Sequence, residues 1–206
     1  AAKYVIFDQS DGSVGWGFRL LNGTSGRLEF FVFPTTGSVQ VLTAATLAIT
    51  ENQAHVIGFS YDGTDATFFV DDETEVVSGT LIDSIKAAST KMSLFAQNDT
   101  ATLGVVGNLW DARIFEGELS QENFNWIRTQ GISGTEPSNM VRHWPISEEA
   151  GVKIQDVVAG DVATFINDPT WDFTANDSFF HGETVGYSAV PIFVDGVELT
   201  ANGNTN

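Results

Sequence analysis

Three acidic residues alternate along one short stretch of the chain, at Asp71, Glu73 and Glu75. Alternate residues of a strand share a face, and two carboxyl groups held on one face can act as nucleophile and acid in glycoside hydrolysis. The stretch follows directly after a predicted strand, so a solvated hairpin tip is the competing interpretation. No residue is assigned to catalysis, and a glycoside hydrolase or polysaccharide lyase is kept as the alternative function.

Histidine and nucleophile patterns typical of hydrolases and zinc enzymes are absent from the sequence. His55, His143 and His181 lie on different predicted elements and lack the spacing of a zinc site. Neither a Gly-x-Ser-x-Gly elbow nor a phosphate-binding glycine loop occurs. Each histidine is therefore expected to be a hydrogen-bonded or exposed imidazole.

Calcium is the one cofactor that the acidic loops indicate, since this hard cation binds carboxylate and carbonyl oxygens gathered on loops. A site at the rim of the fold would combine Asp111 with one of two acidic loops. The candidate ligands are Asp8, Asp11, Asn98, Asp99 and Asp111. A strongly acidic chain also produces such loops without any metal.

Tryptophan side chains are the candidates for glycan binding, because a flat aromatic face stacks on the apolar side of a sugar ring. Trp144 and Trp171 are flanked by proline and polar residues, so we expect them to be exposed. Trp16 and Trp110 alternate with polar neighbours in predicted strands and are expected in the core.

The composition is strongly acidic, with a formal net charge of −18 over 206 residues and only 9 Lys and Arg. Nucleic acids and anionic membrane surfaces bind clustered cations, so both are excluded as partners. No apolar run is long enough to insert through a membrane. Cysteine is absent, which excludes disulfides and a thiol nucleophile. Sixteen Phe and five Trp are enough for a packed core.

Alternating apolar residues predict an all-β chain organised around a hairpin over 55–72, with its turn at Asp62-Gly63-Thr64-Asp65. A second hairpin is predicted around Asn22-Gly23. Further along, alternation over 109–115 places Asp111 and Arg113 on one face and the apolar residues on the other.

One helix is predicted over 120–130. Ser120 is a suitable N-cap, and Glu122 lies in the first turn, where the helix dipole favours a carboxylate. Phe124 and Ile127 form a single apolar stripe, so the helix is expected to pack on a sheet. Gly131 ends it.

These elements resemble laminin-G-like, concanavalin A-like jelly-roll domains of the lectin and glucanase kind, found in bacterial surface and bacteriophage structural proteins. Order and spacing agree over 4–130, although Gln53-Ala54 and Asp72 depart from the family pattern. The motifs that carry the resemblance are His55 near the start of its strand, Tyr61-Asp62-Gly63, Val70-Asp71, Gly107-Asn108-Leu109-Trp110-Asp111-Ala112-Arg113-Ile114-Phe115, and Glu118-Leu119-Ser120-Gln121-Glu122.

The resemblance implies a jelly-roll sandwich of two antiparallel sheets with one short helix. It divides the chain into a sandwich over 1–131, a linker over 132–140 and a C-terminal β segment over 141–206. Because the family's opening strands are missing before Tyr4, the C-terminal segment is expected to complete the sandwich or to pair with a neighbouring subunit.

The function that the resemblance implies is non-catalytic. We expect a module for glycan recognition or adhesion within a virion or cell-surface assembly, such as a decoration or fibre protein, on the virion surface or outside the cell. Its partners would be a glycan or neighbouring protein subunits, including further copies of the chain.

Overall fold

The computed structural model describes residues 3–21, 26–51, 53–89, 92–95, 109, 111–129, 139–146 and 153–164, with the backbone alone at 130, 192–194 and 197–199. Its elements are β1 (Lys3–Ser10), β2 (Gly15–Leu21), β3 (Arg27–Val32), β4 (Gln40–Ala48), β5 (Ile57–Tyr61), β6 (Asp65–Val70), β7 (Glu73–Ser78), β8 (Ser93–Leu94), β9 (Ala112–Phe115), α1 (Gln121–Gln130), β10 (Met140–Trp144), β11 (Lys153–Gln155), β12 (Val162–Thr164), β13 (Ile192–Val194) and β14 (Val197–Leu199).

The larger sheet has five antiparallel strands in the order β4-β3-β2-β1-β8. The predicted second hairpin is confirmed as β2 and β3, in which Phe18 pairs with Phe30 and Leu20 with Leu28. Cross-strand pairs of this kind share a face, so the hairpin presents a continuous apolar surface.

The smaller sheet has three strands in the order β5-β6-β7. The predicted central hairpin is confirmed as β5 and β6. Its turn depends on the Asp62 carboxylate, which accepts hydrogen bonds from the N–H groups of Thr64 at 2.7 Å and Asp65 at 2.8 Å. Gly63 has φ +103°, a conformation that favours glycine.

One element differs from the sequence prediction. The stretch after Asp72 contains a third strand, β7, rather than the turn expected at Glu73 and Glu75. Its residues alternate between exposed and half-buried, because an edge strand packs only one face.

The two sheets pack face to face through aromatic rings. Phe59 of β5 lies with its ring centroid 4.8 Å from that of Phe18 and 4.9 Å from that of Phe30. Phe18, Phe30 and Phe68 are each at most 1% exposed. The chain is therefore an antiparallel all-β protein whose main core lies between its two largest sheets.

One side of this sandwich, where edge strands β4 and β7 run close together, is joined by side chains. The carboxylate of Glu75 accepts hydrogen bonds from the backbone N–H groups of Ala45, Thr46 and Leu47. The Gln40 amide bonds both the N–H and the C=O of Thr80. We refer to the β4 and β7 edges joined in this way as the closed side.

The helix begins and packs as predicted. The Ser120 hydroxyl accepts a hydrogen bond from the N–H of Asn123 at 3.1 Å. Phe124 stacks on Phe69, on the outer face of the smaller sheet, with ring centroids 4.8 Å apart. Gly58 allows this close approach, since a Cβ there would lie 3.0 Å from the Phe124 ring.

A second, smaller core forms where the chain after the helix returns. β10 pairs antiparallel with β9, so Trp144 lies opposite Ala112. These two residues and Ile154 are buried together, and Phe7 contacts this core as well as the main one. The first strand of the C-terminal segment thus pairs within its own chain.

Replacing Phe124 by alanine should lower the free energy of unfolding by about 3–4 kcal/mol, because the ring is 3% exposed and stacked on Phe69. Urea denaturation measures the change. The matched control is Asn123→Ala on the exposed face of the same helix, expected within about 0.5 kcal/mol of the unmodified chain. Equal losses in the two variants would show that the helix does not use Phe124 for packing.

Candidate functional site

The three alternating carboxylates do not form a catalytic pair in the structure. Asp71 accepts a hydrogen bond from the N–H of Val56 at 3.0 Å, and its other oxygen lies 2.8 Å from His55 Nδ1. Glu73 is exposed. Glu75 holds backbone N–H groups on the closed side, so its oxygens serve β4 rather than a substrate.

His55 is hydrogen-bonded through both ring nitrogens, as the sequence predicted for it. The N–H of Thr50 donates to Nε2 at 3.0 Å. A carboxylate oxygen accepts hydrogen bonds, so Nδ1 carries the hydrogen of the bond to Asp71 and is its donor. The pair ties the start of β5 to the turn that follows β6.

The pKa of Glu75 is strongly lowered. Burial by itself would raise the pKa of its carboxyl, but hydrogen bonds from Ala45, Leu47 and Thr46 outweigh that effect and lower it from 4.5 to about 2. A general acid for glycoside hydrolysis needs a raised pKa so that it is protonated near neutral pH. Glu75 therefore does not fit that role.

Asp111, the central residue of the predicted calcium site, is bound by a guanidinium. Arg113 donates from Nε to one oxygen and from Nη2 to the other, both at 3.0 Å. His143 Nε2 lies 3.4 Å from the second oxygen. These side chains are less than 10% exposed, so the Asp111 carboxylate is neutralised within the protein and does not fit a calcium ligand.

The other predicted calcium ligands are not brought together with it. Asp8 is buried in β1 and accepts a hydrogen bond from the Ser10 hydroxyl at 2.7 Å. Asp11 is exposed and closes its own turn by bonding Ser13. Asn98 and Asp99 lie outside the described residues. Over the ranges that the structure describes, no three His, Asp or Glu side chains form a group able to hold a metal ion.

The expectation that Trp144 is exposed is wrong. This residue is only 5% exposed, because β10 pairs with β9 and turns the indole into the second core. It presents no face for a sugar in this arrangement. Trp171 lies outside the described residues, so its role in glycan binding stays a prediction.

A structural acid that the sequence analysis missed is Asp156. Its carboxylate is fully buried and accepts hydrogen bonds from the N–H groups of His143, Val158 and Ala159. Burial raises the pKa of this carboxyl, but these bonds and the charge of Arg142 outweigh it and lower the pKa overall. The available signal was the turn sequence from Asp156 to Gly160.

A cleft of about 1040 Å³ lies between the two main sheets, along β5 and opposite the closed side. We call it the β5 cleft. Most of its lining is apolar, and β9 and the inner face of α1 contribute to its wall. Its walls include Trp16, Phe18, Ile57, Phe59, Tyr61 and Ile127.

Tyr61 brings a buried polar atom to this cleft. Its hydroxyl is buried and, in the structure, has no hydrogen-bond partner. Burial, followed by the charges of Asp62 and Asp65, raises the pKa of Tyr61, so the hydroxyl keeps its proton and is available as a donor. The cleft thus combines apolar walls with an unsatisfied polar group, the usual character of a recognition site.

Comparisons with known proteins leave the family open. No protein-family model and no curated protein matches the chain. An S-layer domain-containing protein from Clostridium thermocellum is similar over 61% of this chain and 63% of that one, at 18% identity and a TM-score of 0.29. So low a score supports no inference about fold or function. In the described ranges no helix is long and apolar enough to cross a membrane.

The low pKa of Glu75 predicts a specific pH dependence. A carboxyl whose pKa is lowered on folding stabilises the protein above its unfolded pKa, and that stability is lost as the pH falls toward the folded value. Glu75→Gln should therefore lower the free energy of unfolding at neutral pH by on the order of 2–3 kcal/mol. The difference from the unmodified chain should shrink below pH 4.5 and close near pH 2.

Urea unfolding curves across this pH range check the prediction. Glu73→Gln is the matched control, because Glu73 is an exposed acid two residues away on the same strand. It should change the free energy of unfolding by less than about 0.5 kcal/mol at every pH. A Glu75→Gln deficit that stays constant with pH would contradict the assignment.

Proposed function

We propose that the chain is a non-catalytic recognition module of a virion or cell-surface assembly, built on a concanavalin A-like jelly roll. The observation that carries the proposal is the β5 cleft, an apolar cleft beside the β5 edge of the smaller sheet, with which no described strand pairs. Contiguous apolar surface bordered by unsatisfied polar groups is typical of a protein interface.

The acidic groups support a binding role over a hydrolytic one. Among the described residues, the carboxylates of Asp71, Glu75 and Asp111 each accept hydrogen bonds from the protein itself. Glycoside hydrolysis instead needs two carboxyl groups free to face one glycosidic bond. None of these three carboxylates is therefore free to serve in the catalytic pair of a glycan-cleaving enzyme.

The partner class follows from charge and from the lining of the cleft. A chain with a net charge of −18 repels polyanions. The cleft is lined largely by aromatic and aliphatic side chains, whereas a polysaccharide needs many hydrogen-bonding groups. We conclude that neighbouring protein subunits fit the β5 cleft better than a glycan, and that glycan recognition would have to use residues elsewhere.

Two measurements on the full chain test the proposal. Light scattering after size exclusion should show concentration-dependent oligomers, and incubation with a panel of polysaccharides should release no new reducing ends. A purely monomeric chain at high concentration would contradict the assembly role. Turnover of a polysaccharide that is lost in Glu73→Gln or Glu75→Gln would instead establish a glycan-cleaving enzyme. Binding of the chain to a glycan array would favour glycan recognition over protein assembly.

A further inference from the structure

The open edge of β5 exposes three peptide groups to the β5 cleft. In antiparallel pairing, residues alternate between those bonded to the neighbouring strand and those whose N–H and C=O point away. The bond from Asp71 N–H to Val56 C=O shows that Val56 belongs to the residues bonded to the neighbouring strand. The β5–β6 register continues from there without a bulge, so every second residue after Val56 is bonded in the same way. Ile57, Phe59 and Tyr61 therefore direct their N–H and C=O groups away from β6, and all three line the cleft.

No described strand pairs with this edge. Peptide groups left unbonded beside apolar walls are unfavourable, and an open strand edge is a template for another strand. The buried Tyr61 hydroxyl, which has no partner in the structure, adds a further polar group at the same place. An apolar small molecule would fill the space without satisfying these groups, whereas an extended strand would do both.

The walls determine the kind of strand that fits. Side chains on one face of an added strand would meet Trp16 and Phe18 of the larger sheet, and those on the other face would meet Phe124 and Ile127 of α1. A strand buried on both faces has a continuous apolar sequence rather than an alternating one. The net charge of −18 further disfavours an acidic strand.

The chain itself carries a strand of this type. β13 has the sequence Ile-Phe-Val and belongs to a two-stranded sheet with β14 that pairs with no other described strand. A lone two-stranded hairpin is marginally stable in water, so β13 gains by pairing elsewhere. Residues 165–191, 27 in number, separate β12 from β13, and a chain of this length spans at most roughly 90 Å.

We propose that β13 of a second copy of the chain inserts beside β5 and completes the smaller sheet. The proposal rests on the assembly role proposed above and names its partner. Repeated from copy to copy, a head-to-tail contact of this kind generates a ring or a filament. The hydroxyl of Tyr61 then bonds the inserted strand, and outward-facing peptide groups of β5 bond its backbone.

Single-cysteine variants test the contact directly, because the chain has no native cysteine. Ile57→Cys and Phe193→Cys chains are mixed, and a short bis-maleimide is added. The expected result is a covalent dimer containing one chain of each kind. Leu81→Cys replaces Ile57→Cys in the control, since Leu81 is 75% exposed and lies outside the cleft; it should give no such dimer with Phe193→Cys.

The double variant Ile57→Cys/Phe193→Cys separates the two possible origins of the strand. Cross-linking within a monomer, without mixed dimers from the single variants, would show that the chain fills its own cleft and would overturn the proposal. Oligomers that persist with no Ile57–Phe193 cross-link of either kind would also overturn it while leaving the assembly role intact. If the chain is found only as a monomer, both the insertion of β13 and the assembly role are wrong.

Tyr61→Phe gives a second measurement that does not depend on cysteine chemistry. The variant keeps the ring in the core and removes only the hydroxyl. Loss of one hydrogen bond to the inserted strand should weaken self-association about fivefold, with the thermal midpoint of the dilute monomer unchanged. Unchanged self-association would show that the hydroxyl does not bind the second copy.

Discussion

The satisfaction of peptide groups at strand edges is the constraint on which this structure depends. Two packed sheets have four edges, and the chain treats the β4 and β7 edges differently from the β5 edge. On the closed side, Glu75 and Gln40 bond the backbone of the facing segment, so β4 and β7 offer little to another strand. On the opposite side, β5 borders an apolar cleft. The asymmetry gives the sandwich one protected side, formed by two edges, and one receptive edge.

Acidic side chains do much of this structural work. Asp62 closes the central turn, Asp71 ties β5 to the end of β6, and Asp156 orders the loop after β11. Each accepts hydrogen bonds from backbone N–H groups, which are stronger when the acceptor is charged. An acidic composition is therefore compatible with a packed fold, because many of its carboxylates are used as local ligands for the backbone.

The same use of carboxylates limits the chemistry that the fold can perform. Asp111 is held by both arms of a guanidinium, and Glu75 by three successive N–H groups. A group committed in this way neither accepts a substrate proton nor coordinates a cation without breaking its native bonds. What remains accessible in the described structure is apolar surface and strand edge, which suit protein recognition.

The sequence by itself determined the local elements. The central hairpin, the β2 and β3 hairpin and the capped helix followed from turn chemistry and from periods of two and 3.6, which act over a few neighbouring residues. His55 was predicted to be hydrogen-bonded or exposed rather than a metal ligand, and the structure shows it hydrogen-bonded. The jelly-roll topology itself was expected from family resemblance, and the structure establishes only the antiparallel sheets and their packing.

Only the tertiary structure decided the roles of the residues with distant partners. Trp144 was expected at the surface from its neighbours, but pairing of β10 with β9 buries it. Glu75 bonds residues about 30 positions away, and Asp111 meets a histidine 32 positions away. No local pattern encodes such contacts, because they arise when packing brings remote segments together and buried polar groups must then find partners.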